Sequence, residues 1–142
     1  MVSTPSIRSR GINVCYDIPV SRTARFWEAL KEGSLQTTRC KTCGKLYFPP
    51  VMDCGTCLSS QVEWVELNGE AEIVTFTHVV IRPATFLQSQ PYTIAIGKLK
   101  EGLKVLAWMT GFKLSEMRVG MKVKLVPKVT DDGNPSYEFT PF

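Results

Sequence analysis

The sequence predicts a mainly β protein, with a short N-terminal helical segment, a metal-binding ribbon and a C-terminal five-stranded barrel. Three observations predict it. Four cysteines stand as two C-x-x-C pairs within "RCKTCGKLYFPPVMDCGTC", residues 39–57. From residue 62 onward, segments rich in β-branched residues alternate apolar and polar positions and are separated by turn residues. Ahead of the cysteines, "VSRTARFWEALKEG" is the stretch that carries helix punctuation. The expected division is 1–34 for the arm and helix, 35–62 for the ribbon and 63–142 for the barrel.

The arm holds Pro5, Pro19, several serines and a short apolar patch, "INVCY", and is expected to be irregular or extended. Ser21 or Thr23 can cap the helix, Phe26, Trp27 and Leu30 share one face, and Gly33 offers a left-handed stop. So short a helix is not stable alone. It must dock its Phe26–Trp27 face, either on the rest of the chain or on a partner, and these two residues are the candidate partner-docking pair. In the cysteine region Gly44, Pro49, Pro50 and Gly55 allow only short strands between turns. "QVEWVEL", "EAEIVTFTHVVI", "YTIAIGKL", "KVLAWMTGF", "MKVKLVPKV" and "SYEFTPF" then read as strands, about five of them in a small barrel. Asn68-Gly69, Glu101-Gly102, Gly120 and Asp131–Asn134 supply the turns, and "LSEMRVG" offers one helical turn. The longest loop, "RPATFLQSQP", is apolar for a surface loop.

Hydrophobic residues make up 44% of the 142 and charged residues 21%, which supports a packed core and argues against wholesale disorder. No apolar run approaches the about 20 residues of a membrane span. The first residues carry two arginines without an apolar core, so no secretory signal is read and a cytoplasmic chain is expected. The net charge of +4 is spread along the chain. It permits contact with the phosphates of a nucleic acid or a nucleotide-bearing cofactor without demanding it.

Paired C-x-x-C units in a reducing compartment point to metal rather than disulfides. Two residues between thiolates let both sulfurs of a tight turn face one ion, and two such turns complete a tetrahedron. Cys40, Cys43, Cys54 and Cys57 are the predicted ligands of one structural Zn(2+), with iron in a rubredoxin-like electron carrier as the alternative. A site closed by four protein ligands keeps no open position for catalysis. Arg39, Lys41 and Lys45 lie close in sequence to offset its negative charge, and Leu46, Tyr47 and Phe48 are placed to cover it. Cys15, the fifth cysteine, reads as a small buried or half-buried hydrophobe. His78, the one histidine, sits inside a strand, where a structural role is the default, and Trp27, Trp64 and Trp108 read first as anchors and second as stacking platforms. No nucleophile–base pair, phosphate loop or dinucleotide fingerprint is found, so no enzyme is expected.

The order of these elements resembles one family. "FWEALKEGSLQTTRCKTCGKLYFPPVMDCGTC", "WVELNGEAEIVTFTHV", "PYTIAIGKLKEG" and "VGMKVKL" are similar to the zinc-ribbon/OB-fold proteins catalogued as domain-of-unknown-function family thirty-five. The resemblance implies an N-terminal helical segment, a rubredoxin-like zinc ribbon and an OB-fold barrel. It also implies a non-catalytic accessory or scaffold subunit that binds a CoA thioester, a thiolase-like or other acyl-CoA enzyme, or both. Asp53-Cys54-Gly55 departs from the family, where proline often follows the first cysteine of the second knuckle. Arg82, Lys98 and Lys100, on or beside predicted strands, are the candidate acyl-CoA contacts. The alternative reading is a single-stranded nucleic-acid-binding OB-fold protein, with the spread of basic residues against it.

Overall fold

A computed structural model describes residues 6–7, 16–83, 86 and 90–142 of the chain, so Cys15 lies outside the described residues. Helix α1 spans Ala24–Lys31 and buries Phe26, Ala29 and Leu30. Thr23 occupies the N-cap position, but its hydroxyl turns back to the Val20 carbonyl at 3.4 Å and caps nothing in the helix. The stop is as expected. Gly33 takes φ of 82°, and the amides of Gly33 and Ser34 donate to the carbonyls of Leu30 and Ala29, which is the paired closure of a Schellman turn.

Strands β1 (Gln36–Cys40), β2 (Leu46–Tyr47) and β3 (Val62–Glu66) form a small antiparallel sheet in the order β2-β1-β3. Buried Thr38 holds the chain's return path to this sheet: its hydroxyl donates to the Val51 carbonyl at 2.8 Å and accepts from the Val51 amide at 3.0 Å. The Thr37 hydroxyl donates to the Tyr47 carbonyl. β3 differs from the expectation. Its alternation placed it with the barrel strands, but all five of its residues pair with β1, so it completes the ribbon. Alternation marks a strand without naming its neighbour.

Strands β4 (Glu70–Val79), β5 (Tyr92–Leu99), β6 (Lys104–Met109), β7 (Lys122–Val129) and β8 (Pro135–Thr140) close a five-stranded barrel in the order β4-β5-β6-β8-β7. All pairings are antiparallel except β6 with β8. β4 is long enough to bend around the barrel, and a bulge between Ile73 and Thr75 supplies the bend. Phe139 on β8 fills the interior with no exposed surface. Gly97 on β5 is its counterpart, because a Cβ there would stand 2.5 Å from the Phe139 ring. The "LSEMRVG" segment contains the expected single turn, a 3-10 turn at Leu114–Glu116.

α1 lies against β7, β8 and β1, and one apolar core runs from Phe26, Leu30 and Leu35 into the barrel. Phe26 packs edge-on against Phe48 at 5.7 Å and Tyr137 at 6.3 Å, so helix, ribbon and barrel meet in one aromatic cluster. Among the described residues no helix is long and apolar enough to cross a membrane.

Candidate metal centre and partner faces

The two knuckles are built alike. In the first, the Cys40 amide donates to the Lys45 carbonyl and the Gly44 amide donates to the Cys40 carbonyl, both at 2.9 Å. In the second, Cys54 and Ser59 make the same bond, as do Leu58 and Cys54, again at 2.9 Å. The fourth residue after the first cysteine must then turn left-handed. Gly44 does so at φ of 74°, and Leu58 does so at φ of 57°. A leucine thus stands where the chain geometry favours glycine.

The four sulfurs converge, every pair lying within 4.8 Å. Cys40 faces Cys57 at 3.5 Å and Cys43 faces Cys54 at 3.5 Å. Four sulfurs each about 2.3 Å from one zinc stand about 3.8 Å apart, so the cradle fits a tetrahedral ion. The first cysteine of each knuckle is buried and the second is exposed.

The electrostatics point to the same requirement. The Tyr47 hydroxyl donates to Cys54 Sγ at 3.1 Å. Together with the backbone N–H groups of Cys57 and Thr56, this bond holds Cys54 down at about 5. At Cys57 the Ser59 amide lowers the pKa, but local desolvation and the apposed sulfurs of Cys40, Cys54 and Cys43 outweigh it and push the thiol up to about 12. A divalent cation lets all four ionise together. Of the three expected counter-charges, Lys45 lies over the Tyr47 ring at 5.5 Å and is bonded to Thr56 Oγ1 at 2.9 Å, while Arg39 pairs with Glu63 at 3.7 Å. Tyr47 covers the sulfurs as expected, whereas Phe48 turns inward to Phe26 and Tyr137.

Models of two adjacent domains match the chain: the ChsH2 rubredoxin-like zinc ribbon at residues 27–63 and the ChsH2 C-terminal OB-fold at residues 64–128. A DUF35 domain-containing scaffold protein of Methanocaldococcus jannaschii is 32% identical over 125 residues, covering 82% of this chain and 89% of that protein. The chain belongs to the DUF35 family. It is a rubredoxin-like zinc ribbon, with four cysteines positioned to bind one metal ion, joined to an OB-fold. The benzoylsuccinyl-CoA thiolase subunit BbsA of Thauera aromatica is 34% identical over 110 residues, 74% of each chain. The solved Ltp2-ChsH2(DUF35) aldolase superposes with a TM-score of 0.72 at 27% identity, over 83% of this chain and 92% of that one.

In this DUF35 chain the other candidate residues do not gather at one place. Phe26 is 1% exposed and belongs to the core, so of the expected docking pair only half-buried Trp27 reaches the surface. Arg82 follows the end of β4 whose last residue, Val79, pairs with Tyr92. Lys98 pairs with Glu72 at the other end of the same hairpin, six residues along β5, or roughly 20 Å. Lys98 and Lys100 do share a depression with Lys122, but Glu70 and Glu72 line it too, and Lys100 is ion-paired with Glu70.

Sequence reasoning missed the apolar face of β5 and β6. Tyr92 and Trp108 stack there at 4.5 Å and 3°, with Phe86 5.8 Å from Tyr92. With Leu106 and Trp27 they border a groove of about 590 Å³ that reaches Pro135 and Tyr137 on β8. The signal was the apolar outward positions of "YTIAIGKL" and "KVLAWM", which alternate with the inward ones.

Proposed function

We propose that this chain is a non-catalytic accessory subunit that docks on a thiolase-like acyl-CoA enzyme and helps to hold a CoA thioester. The observation that carries the reading is the likeness to a scaffold protein over 82% of the chain and to a subunit named for a CoA thiolase over 74% of it. The chemistry of the described residues agrees with it. The metal cradle is closed by four sulfurs, and the bonded neighbour of His78 is a threonine hydroxyl rather than a carboxylate. The groove bordered by Trp27, Tyr92, Leu106 and Trp108 supplies an apolar docking face. Lys98 and Lys100 supply a phosphate contact at one end of the barrel, and Arg82 a separate contact at the other.

Co-expression with a thiolase-like acyl-CoA enzyme of the same organism, followed by gel filtration and assay, tests the proposal. The expected result is a stoichiometric complex in which turnover requires the enzyme, while the chain alone turns over no acyl-CoA. Separate elution, together with a melting temperature indifferent to CoA thioesters, would sink it.

A single-stranded nucleic-acid module is the second reading, and the Tyr92–Trp108 stack favours it, because OB-folds bind strands on this face. Its lysines are interleaved with carboxylates, however: Lys98 opposes Glu72, Lys124 opposes Glu70, and Lys128 bonds Glu138 at 3.0 Å. Titration of single-stranded DNA and RNA across salt decides between the readings, since binding through phosphates weakens steeply with salt.

A further inference from the structure

The interior of the barrel is apolar along its length, with Leu99, Val105, Ala107, Val123, Leu125 and Phe139 among its buried side chains. It turns polar at one end. Thr93, 3% exposed, lies on the inward face of β5, and directly opposite on β4 is half-buried His78, whose Nδ1 stands 2.8 Å from the Thr93 hydroxyl. The two other buried threonines bond backbone groups of the ribbon. Thr93 differs, because its side chain bonds another side chain, that of His78. That pair opens on a slot of about 270 Å³, also lined by Pro91, Met109, Phe112 and Met117. Such a volume lies just below the roughly 300–1,000 Å³ of sites that enclose whole ligands, so the slot suits a chain end rather than an entire nucleotide cofactor.

We infer that this slot takes the acyl end of a short-chain CoA thioester, with His78 as hydrogen-bond donor to the thioester carbonyl. In this arrangement the Thr93 hydroxyl donates to Nδ1 and the imidazole proton stands on Nε2, a donor within a mostly apolar slot whose other polar side chains include Gln90 and Thr110. The apolar walls accept the acyl methylenes, and the carbonyl oxygen meets the donor. The inference rests on the acyl-CoA reading above and names the site within it.

His78 is the one histidine in the chain, so its imidazole signals need no assignment. The zinc-loaded full chain, labelled with 15N-histidine, is titrated with butyryl-CoA, S-butyl-CoA (the thioether without the carbonyl) and free CoA. The titration is then repeated with the chain bound to its unlabelled partner enzyme. Butyryl-CoA is expected to move the His78 ring signals and to bind roughly three- to tenfold tighter than S-butyl-CoA, the ratio one hydrogen bond sustains. His78→Phe is expected to erase that ratio, and the signal shift in the unaltered chain stands as evidence even if this variant folds poorly. If butyryl-CoA binds while the His78 signals stay fixed and the thioether binds equally well, the slot is overturned and CoA binding elsewhere on the chain survives. If no CoA species binds the chain or its complex, both the slot and the acyl-CoA reading fall.

Discussion

The matched knuckles allow one backbone position to be tested in opposite directions. Gly44 and Leu58 occupy the same place in the two turns, with φ of 74° and 57°, and both donate to the carbonyl of their knuckle's first cysteine. A side chain in the left-handed region costs roughly 1–2 kcal/mol, and a glycine's extra freedom in the unfolded chain returns roughly 0.4–1 kcal/mol of that difference. Leu58 is 84% exposed, so its removal forfeits little burial, and a Cβ on Gly44 would meet nothing within 4 Å. The backbone term therefore stands nearly alone at both sites. Leu58→Gly is expected to stabilise the zinc-loaded chain by about 0.5–1 kcal/mol, and Gly44→Ala to destabilise it by about 1 kcal/mol. Urea unfolding at fixed free zinc measures both as shifts in midpoint with an unchanged slope. Fixed zinc matters because metal binding is itself part of the folding free energy. A destabilised Leu58→Gly, or a neutral Gly44→Ala, would refute the reasoning, since each shares its backbone conformation with the other.

Gly97→Ala drives a methyl to 2.5 Å from the Phe139 ring and is expected to cost roughly 1–3 kcal/mol in urea unfolding, with Gly97→Ala/Phe139→Leu recovering part of it. Tyr47→Phe removes the hydroxyl that bonds Cys54 Sγ at 3.1 Å. Zinc affinity, measured against a chromophoric chelator, is expected to fall about 10–100-fold. Protons compete with the ion for sulfur, so zinc release on acidification is expected at higher pH in this variant than in the parent. Asp53 is held below the usual carboxylate range by the Arg22 guanidinium and the Ser60 hydroxyl. A depressed carboxylate contributes stability that is present above its unfolded pKa and is lost as pH falls through the folded value. Asp53→Asn is therefore expected to flatten the acid limb of the stability profile, by an amount that added salt reduces, because both partners are more than half exposed. Trp108→Asp, on the rim of the groove, is expected to abolish co-elution with the acyl-CoA enzyme while leaving the melting temperature within a few degrees.

What could be read in the sequence was local. The helix with its glycine stop, the cysteine knuckles and the β-branched strands each declare themselves within a few residues. The departures all depend on which distant residues become neighbours. β3 has the pattern of a strand, but nothing in "QVEWVEL" says that it pairs with β1 rather than with a barrel strand. Arg82, Lys98 and Lys100 share in the sequence only a place on or beside predicted strands, and the hairpin register separates the first from the others. His78 and Thr93 are fifteen residues apart and become a bonded pair only when β4 meets β5. Leu58 could not be singled out as left-handed, because the usual marker of that conformation, glycine, is absent there.

The metal cradle lies outside the barrel, yet it is one peptide unit from the surface proposed to meet a partner. Tyr47 and Phe48 are consecutive, and consecutive residues of an extended chain point to opposite sides. The Tyr47 hydroxyl reaches Cys54, while the Phe48 ring meets Tyr137 at 5.1 Å. Tyr137 belongs to β8 and borders the same groove as Trp108, Leu106 and Trp27. A ribbon without its ion frees Tyr47, and with it the strand end that seats Phe48 against Tyr137. Helix α1 follows, because Phe26 packs on both rings and carries Trp27 beside it at 5.0 Å. On this reasoning the ion fixes the shape of the groove rather than taking part in chemistry. Partner affinity should then fall with zinc occupancy even where the barrel strands stay folded, as hydrogen exchange in β4 and β5 would report. A partner face carried by the barrel alone would be indifferent to the ion.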